Sequence, residues 1–178
     1  MPGQDYTSPA KVLHWITATL VLGMLGGGLW MTDLPLGLLK LQVYGWHKWI
    51  GLTVLALTVL RLLWRSYAAP PPLPDTLPGW EQKAALLGHA ALLILLLAMP
   101  VSGWLMSSAA GVPVVWFGVV PLPDLVAHDA ELFNLLRATH YVLSRLLIVV
   151  VALHVAAVIR HDLFRRDGVF RRMWPHAR

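Results

Sequence analysis

The stretch Ala138–Ile159, ATHYVLSRLLIVVVALHVAAVI, decides the fold. Roughly 20 apolar residues at 1.5 Å each cross the 30 Å or so of hydrocarbon in a bilayer, and this run meets that length. Yet it keeps two histidines, His140 and His154, and one arginine, Arg145. Fourteen residues separate the histidines, which at about 100° per residue is four turns less about 40°. Both imidazoles therefore project from nearly the same face, about 21 Å apart along the axis. A buried ionisable side chain is costly in lipid, so a span that retains one points it at a partner, a cavity or a cofactor.

Three further apolar runs of spanning length lie at Val12–Met31, Trp46–Trp64 and Ala84–Met106. The expected fold is thus an all-α membrane protein, a four-transmembrane-helix bundle, with spans near 12–31, 46–64, 84–106 and 138–159. The connections are a short polar turn at Asp33–Gln42, a proline-rich linker Pro70–Pro78, and a longer segment Ser107–Leu136 broken by Pro113, Pro121 and Pro123. None is long enough for a second domain, so residues 1–178 read as one. The composition agrees, with 57% hydrophobic and 13% charged residues among 178. No small-residue cleavage site follows the first apolar run, which reads as a retained span. Absence of cysteine excludes disulfides, thiolate-held iron–sulfur clusters and covalent haem attachment through Cys-x-x-Cys-His.

The net charge of +5 is sorted by loop rather than gathered into a face, so a nucleic-acid partner is not expected. With both termini inward, Lys11, Arg61, Arg65, Lys83, Arg160, Arg165, Arg166, Arg171, Arg172 and Arg178 share one side. Lys40, Lys48, Arg137 and Arg145 are left for the outer side or the last span. The positive-inside rule then puts both termini in the cytoplasm. Trp15, Trp30, Trp46, Trp49, Trp64, Trp80, Trp104 and Trp116 fall near span ends, where an amphipathic ring prefers the headgroup region.

This orientation gives each histidine a depth. His14 lies at the inner end of the first span and His47 at the outer end of the second, while the fourth span carries His140 outside and His154 inside. The depths pair His14 with His154 and His47 with His140, two bis-imidazole sets suited to haem iron in a bundle core. A structural zinc fits less well, because it gathers four protein ligands. His89 shares the inner level, so three candidates compete there for two axial positions. Keeping His14 and His154 lets the fourth helix serve both sites in the same way, and leaves His89 as a contact for a haem propionate or quinone. His161 reads as solvated at the membrane surface, and His128 and His176 as loop and tail residues without a role. Arg145 points away from both histidines of its helix, and a backbone carbonyl or the interface is expected to take it. Glycines 26, 27, 28, 45, 51 and 103 permit close approach of helices or of a flat porphyrin, and Pro100 is expected to kink the third span.

Several segments carry a specific resemblance: Lys-Val-Leu-His-Trp ending at Trp15, Gly-Trp-His-Lys at 45–48, Leu-Gly-His-Ala at 87–90, Met-Pro-Val-Ser-Gly at 99–103, Thr-His at 139–140, Leu-His at 153–154 and Arg-Arg-Met-Trp-Pro at 171–175. Along essentially its whole length the chain resembles the bacterial cytochrome b561 family, small di-haem cytochromes of the inner membrane. The resemblance implies two non-covalent haem b groups, one held by His14 and His154 and the other by His47 and His140, with the iron as the metal bound. It also implies a superoxide:ubiquinone oxidoreductase that moves electrons from periplasmic superoxide through the haems to ubiquinone. Lys40, Lys48 and Arg137 are the outer cations that could attract such an anion, and His89 and Lys11 the polar groups nearest a quinone. The competing reading is an electron-transfer subunit relaying electrons between a separate redox partner protein and the quinone pool. A haem-free bundle whose histidines only tie helices together is a third, and the lack of carboxylates deep in the spans counts against a transporter.

Overall fold

A computed structural model describes residues 5–74 and 77–175, which leaves His176 outside the described residues. Four long helices account for most of them: α1 Ser8–Asp33, α2 Leu38–Tyr67, α3 Gly79–Ala109 and α4 Ala130–Ile159. All four are long and apolar enough to cross a membrane. Each contains its expected span; α1, α2 and α3 overrun it at both ends and α4 at its start, because helical hydrogen bonding continues past the apolar boundary into flanking polar residues. The turn between α1 and α2 accordingly shrinks to residues 34–37. There Lys40 Nζ donates to the carbonyls of Thr32 (3.2 Å) and Leu34 (2.8 Å) at the C-terminal end of α1. That use of Lys40 as a helix cap differs from its expected part in attracting an anion.

Apolar side chains face outward along the bundle, as lipid requires: Leu87, Ile94, Leu63 and Leu153 are all more than 60% exposed. The helices pack in sequence, α1 on α2, α2 on α3 and α3 on α4. Neither α1 nor α2 shares an extended interface with α4. At mid-depth a small core of Val21, Val54, Leu95, Leu96 and Leu147 draws on all four helices. α3 runs unbroken through Pro100.

The connection between α3 and α4 holds a feature the sequence pattern did not reveal, a hairpin of β1 Val115–Trp116 and β2 Val120–Pro121. Its strands are two residues each, too short for a period-two signal. Two of the three loop residues between the strands have positive φ, Phe117 at 51° and Gly118 at 71°, which lets so short a connection reverse the chain. The strain at Phe117 is offset by packing against Trp49 and Trp116, ring centres 5.5 and 5.4 Å away. Trp49 Nε1 donates to Val115 O at 2.6 Å and Trp104 Nε1 to Pro123 O at 3.1 Å, while Trp116 Nε1 reaches back to Trp49 O at 3.2 Å. These tryptophans lie at span ends as expected, and they also bind the connection to the helices. His128, expected to be idle, hydrogen-bonds Ala109 O at 2.9 Å.

The other end is tied by a carboxylate that no span prediction included. Glu81, in the first turn of α3, is buried and accepts from Arg160 Nη2 (3.0 Å) and Arg165 Nη1 (2.7 Å). Both arginines stand on the single π-helical turn Arg160–Arg165 that continues α4. His161, on the same turn, is half-buried rather than solvated and lies 2.6 Å from Asp167. Burial would raise the Asp167 carboxyl, but hydrogen bonds from His161 and the Val169 N–H, with the nearby charges of His161 and Arg165, hold it below its ordinary value. Arg145 rests over the Tyr141 ring, 4.7 Å from its centre, on the face turned away from the histidines of α4.

Replacing Glu81 with alanine leaves two arginines without their shared acceptor, and is expected to cost on the order of 2 kcal/mol. Thermal unfolding of the purified protein in detergent, followed by circular dichroism, checks this: Glu81→Ala melts clearly below the parent, and Glu81→Gln lies between.

Candidate functional site

Seven residues are two helical turns less about 20°, or about 10.5 Å of axial rise. Side chains at that spacing form a near-vertical column on one face. Each of the four helices has one such column. In α1 it reads His14, Val21, Gly28, and in α2 it reads His47, Val54, Arg61. In α3 it is His89, Leu96, Gly103, and in α4 it is His140, Leu147, His154. Because neighbouring helices run in opposite directions, the columns assemble into three layers. The apolar core supplies the middle one, with Val21, Val54, Leu96 and Leu147.

The layer nearest the two chain ends, called inner after the orientation expected from the loop charges, brings together His14, Arg61, His89 and His154. The His14 and His154 ring centres are 6.5 Å apart with the planes inclined at 63°. The His89 ring centre stands 5.7 Å from that of His154. Arg61 Nη2 lies 3.3 Å from His14 Nδ1. Of the three histidines, His14 and His154 are half-buried and His89 is exposed. Lys11, expected near this level, is paired with Asp5 at 3.6 Å.

The layer at the opposite end of the bundle, called outer in the same sense, contains His47 and His140, ring centres 6.4 Å apart and planes inclined at 74°. Its other two members are glycines, and each makes room for an imidazole. A Cβ on Gly28 would come within 3.2 Å of His47 Cε1, and one on Gly103 within 3.2 Å of His140 Cε1. Ser102, buried beside Gly103, places Oγ 2.9 Å from His140 Nδ1 and donates to Met99 O at 2.8 Å. The pattern reading noted both glycines only as small residues and missed Arg61 and Ser102 as site residues. The heptad spacing from His47 was the signal that would have found Arg61, and that from His89 reaches Gly103 but not its neighbour Ser102.

The two pairs suit a metal held between imidazoles. A metal–imidazole bond of roughly 2 Å, with about 1.1 Å from nitrogen to ring centre, sets two opposed ring centres roughly 6 Å apart. Both pairs stand near that separation. They do so across α1/α4 and α2/α4, the helix pairs that lack extended packing, so the imidazoles meet where the backbones stand apart. Among the described residues no group of three or more His, Asp or Glu converges to hold a metal ion. An imidazole pair at each level, at the edges of an apolar core, with glycines beside the outer pair and a third histidine beside the inner one, would suit a flat macrocycle that supplies its remaining ligands itself.

Comparison with known proteins agrees with this chemistry. The sequence model described as prokaryotic cytochrome b561 matches residues 5–176. Cytochrome b561 homolog 2 of Escherichia coli (strain K12) is 34% identical, covering 96% of this chain and 91% of its own length. A probable superoxide oxidase, CybB, of Yersinia pestis is 26% identical, covering 93% of each chain. Cytochrome b561 homolog 1 of Escherichia coli (strain K12) is 27% identical over 72% of this chain.

A valine at Gly103 or at Gly28 pushes its side chain into the ring of His140 or His47, and each is expected to lower the haem absorbance per chain of the purified protein. Gly23 has nothing within 4 Å of where a Cβ would stand, so Gly23→Val is expected to keep the parental haem content.

Proposed function

The chain belongs to the prokaryotic cytochrome b561 family, and we propose that it is a di-haem oxidoreductase that takes electrons from superoxide at the periplasmic face and delivers them to ubiquinone near the cytoplasmic face. As a member of that family it is a haem b-binding, electron-transferring membrane cytochrome, a multi-pass protein of the bacterial inner membrane. The proposal adds the number of haems, their ligands, the donor and the acceptor. The observation that carries it is the pair of imidazole pairs, 6.5 and 6.4 Å between ring centres, at two levels of one bundle.

In this reading residues 1–178 form a single domain, His14 and His154 hold the inner haem, and His47 and His140 hold the outer one. His14 is preferred to His89 because it is half-buried where His89 is exposed, and because α4 then supplies one ligand to each site. Both termini lie in the cytoplasm, which the loop distribution of Lys and Arg favours. The haem groups, when bound, supply the one-electron chemistry. Val21, Val54, Leu96 and Leu147 keep water out of the layer between the two levels. Arg61 and His89 add polar groups to the inner layer alone, where a propionate or a quinone carbonyl needs donors. Lys48 and Arg137 remain on the outer side as cations for an anionic substrate; Arg137 is exposed beside the Phe133 ring. Two superoxide anions, one quinone and two protons give two dioxygen and one quinol, so proton entry belongs at the quinone end. The relative named as a probable superoxide oxidase supports the choice of donor, and the more similar one, named only as a cytochrome b561 homolog, leaves room for the relay reading.

The test is purification in detergent, haem quantification from the reduced-minus-oxidised spectrum, and addition of a superoxide source with a soluble ubiquinone analogue. Two haems and superoxide-dependent quinone reduction are expected. Two haems without turnover would replace the enzyme by a relay that needs a partner protein. His47→Ala and His140→Ala are each expected to lose one haem and to share one residual spectrum, and His14→Ala and His154→Ala the other. Loss of haem in His89→Ala but not in His14→Ala would reassign the inner ligand.

A further inference from the structure

The two levels differ in what stands behind the imidazoles. At the outer level the partner is the Ser102 hydroxyl, which touches both His140 Nδ1 (2.9 Å) and Met99 O (2.8 Å). A hydroxyl has one proton, and a carbonyl oxygen can only accept. The Ser102 proton therefore goes to Met99 O, and the contact with His140 has the ring donating from Nδ1–H to Oγ. That fixes the tautomer: the proton is on Nδ1, and the lone pair of Nε2 is left for a metal. At the inner level the partner of His14 Nδ1 is a guanidinium, at 3.3 Å, which donates only. His14 Nδ1 therefore accepts here, and ligation by His14 through Nε2 requires Arg61 to turn from it to another acceptor, such as a propionate.

We propose that Ser102 is a positioning residue for the outer site, holding His140 in the Nδ1–H tautomer and lowering the reduction potential of the haem bound there. An acceptor behind a ligating imidazole strengthens its electron donation, which stabilises the ferric state. The chain from ring to hydroxyl to Met99 carbonyl polarises in one direction, so the acceptor is better than a lone hydroxyl. An outer haem poised lower gives up its electron more readily to the inner haem, which has the Arg61 cation beside it. This also gives Met-Pro-Val-Ser-Gly at 99–103 a physical reading, in which Met99 anchors the hydroxyl, Ser102 orients the ring and Gly103 admits it. The inference rests on His140 being an axial ligand.

The test is a redox titration of the purified haem-loaded protein, with Ser102→Ala, Ser102→Thr and His140→Ala beside the parent. Ser102→Ala is expected to keep both haems and shift one potential upward, about a threefold to tenfold rise in the ferrous-to-ferric ratio at fixed ambient potential, or roughly 30–60 mV. Ser102→Thr, which keeps the hydroxyl, is expected to restore the parental value. Loss of the outer haem in Ser102→Ala but not in Ser102→Thr supports the same role for the hydroxyl. Unchanged potentials in Ser102→Ala, or haem loss in both Ser102 variants, would overturn it. Retention of both haems in His140→Ala would instead overturn the ligation itself, a separate failure.

Discussion

An imidazole inside a membrane has to be met by something, because hydrocarbon offers no hydrogen bonds. Five of these rings stand on the four helices, and the rest of the bundle is arranged around meeting them. Seven-residue spacing stacks each helix into inner, middle and outer positions. Antiparallel order then puts histidine opposite histidine at both ends and aliphatic side chains between. The middle layer alone is packed as a core, since it is where all four helices supply apolar groups at once. At the ends, the backbones are kept apart and side chains span the difference.

The same constraint explains the glycines. Gly28 and Gly103 occupy the column positions that carry His14 and His89 at the opposite end of their helices. A second polar ring there would crowd the outer pair, and even a methyl group would press on it at 3.2 Å. The inner layer tolerates four polar side chains because it adjoins the charged end of the bundle, where Glu81 pairs with Arg160 and Arg165. A bundle with near-twofold likeness between its ends therefore has one sparse site and one crowded site. The sparse one faces the strained, tryptophan-pinned hairpin, and the crowded one faces the basic tail.

Much of this was legible in the amino-acid sequence, for reasons that are physical. Span length follows from bilayer thickness, and depth follows from counting residues at a fixed rise, so the pairing of His14 with His154 and of His47 with His140 needed no contact information. What escaped was whatever depends on how far each helix is rotated about its axis. Arg61 counted as an inner-loop cation because its position near a span end is where positive charge gathers. Whether it pointed at lipid headgroups or at His14 was a matter of phase, and only its place fourteen residues after His47 carries that phase. Ser102 was hidden for a similar reason, being a small polar residue in a span where serine ordinarily bonds its own backbone. It does bond Met99 O, and it still has a lone pair for His140. Glu81 fell outside the predicted third span, since its carboxylate is accommodated only when the π-helical turn after α4 aims two arginines at it.

That last point bears on how the bundle is held as much as on its chemistry. α4 carries a histidine of each pair, yet the helices that carry the opposing histidines do not pack extensively against it. Its placement is fixed by α3 along its length, by Glu81 at one end and by the Asp129 cap and the hairpin connection at the other. The ring-to-ring distances at both levels are therefore set by the α3/α4 interface and by the chain of α1 on α2 on α3. A change at Leu95 or Leu96, in the core between the two levels, would alter both separations together. A change at Gly103 would alter one. The two sites are in this sense coupled through the middle layer while remaining locally distinct, as the two-haem electron path proposed above would require.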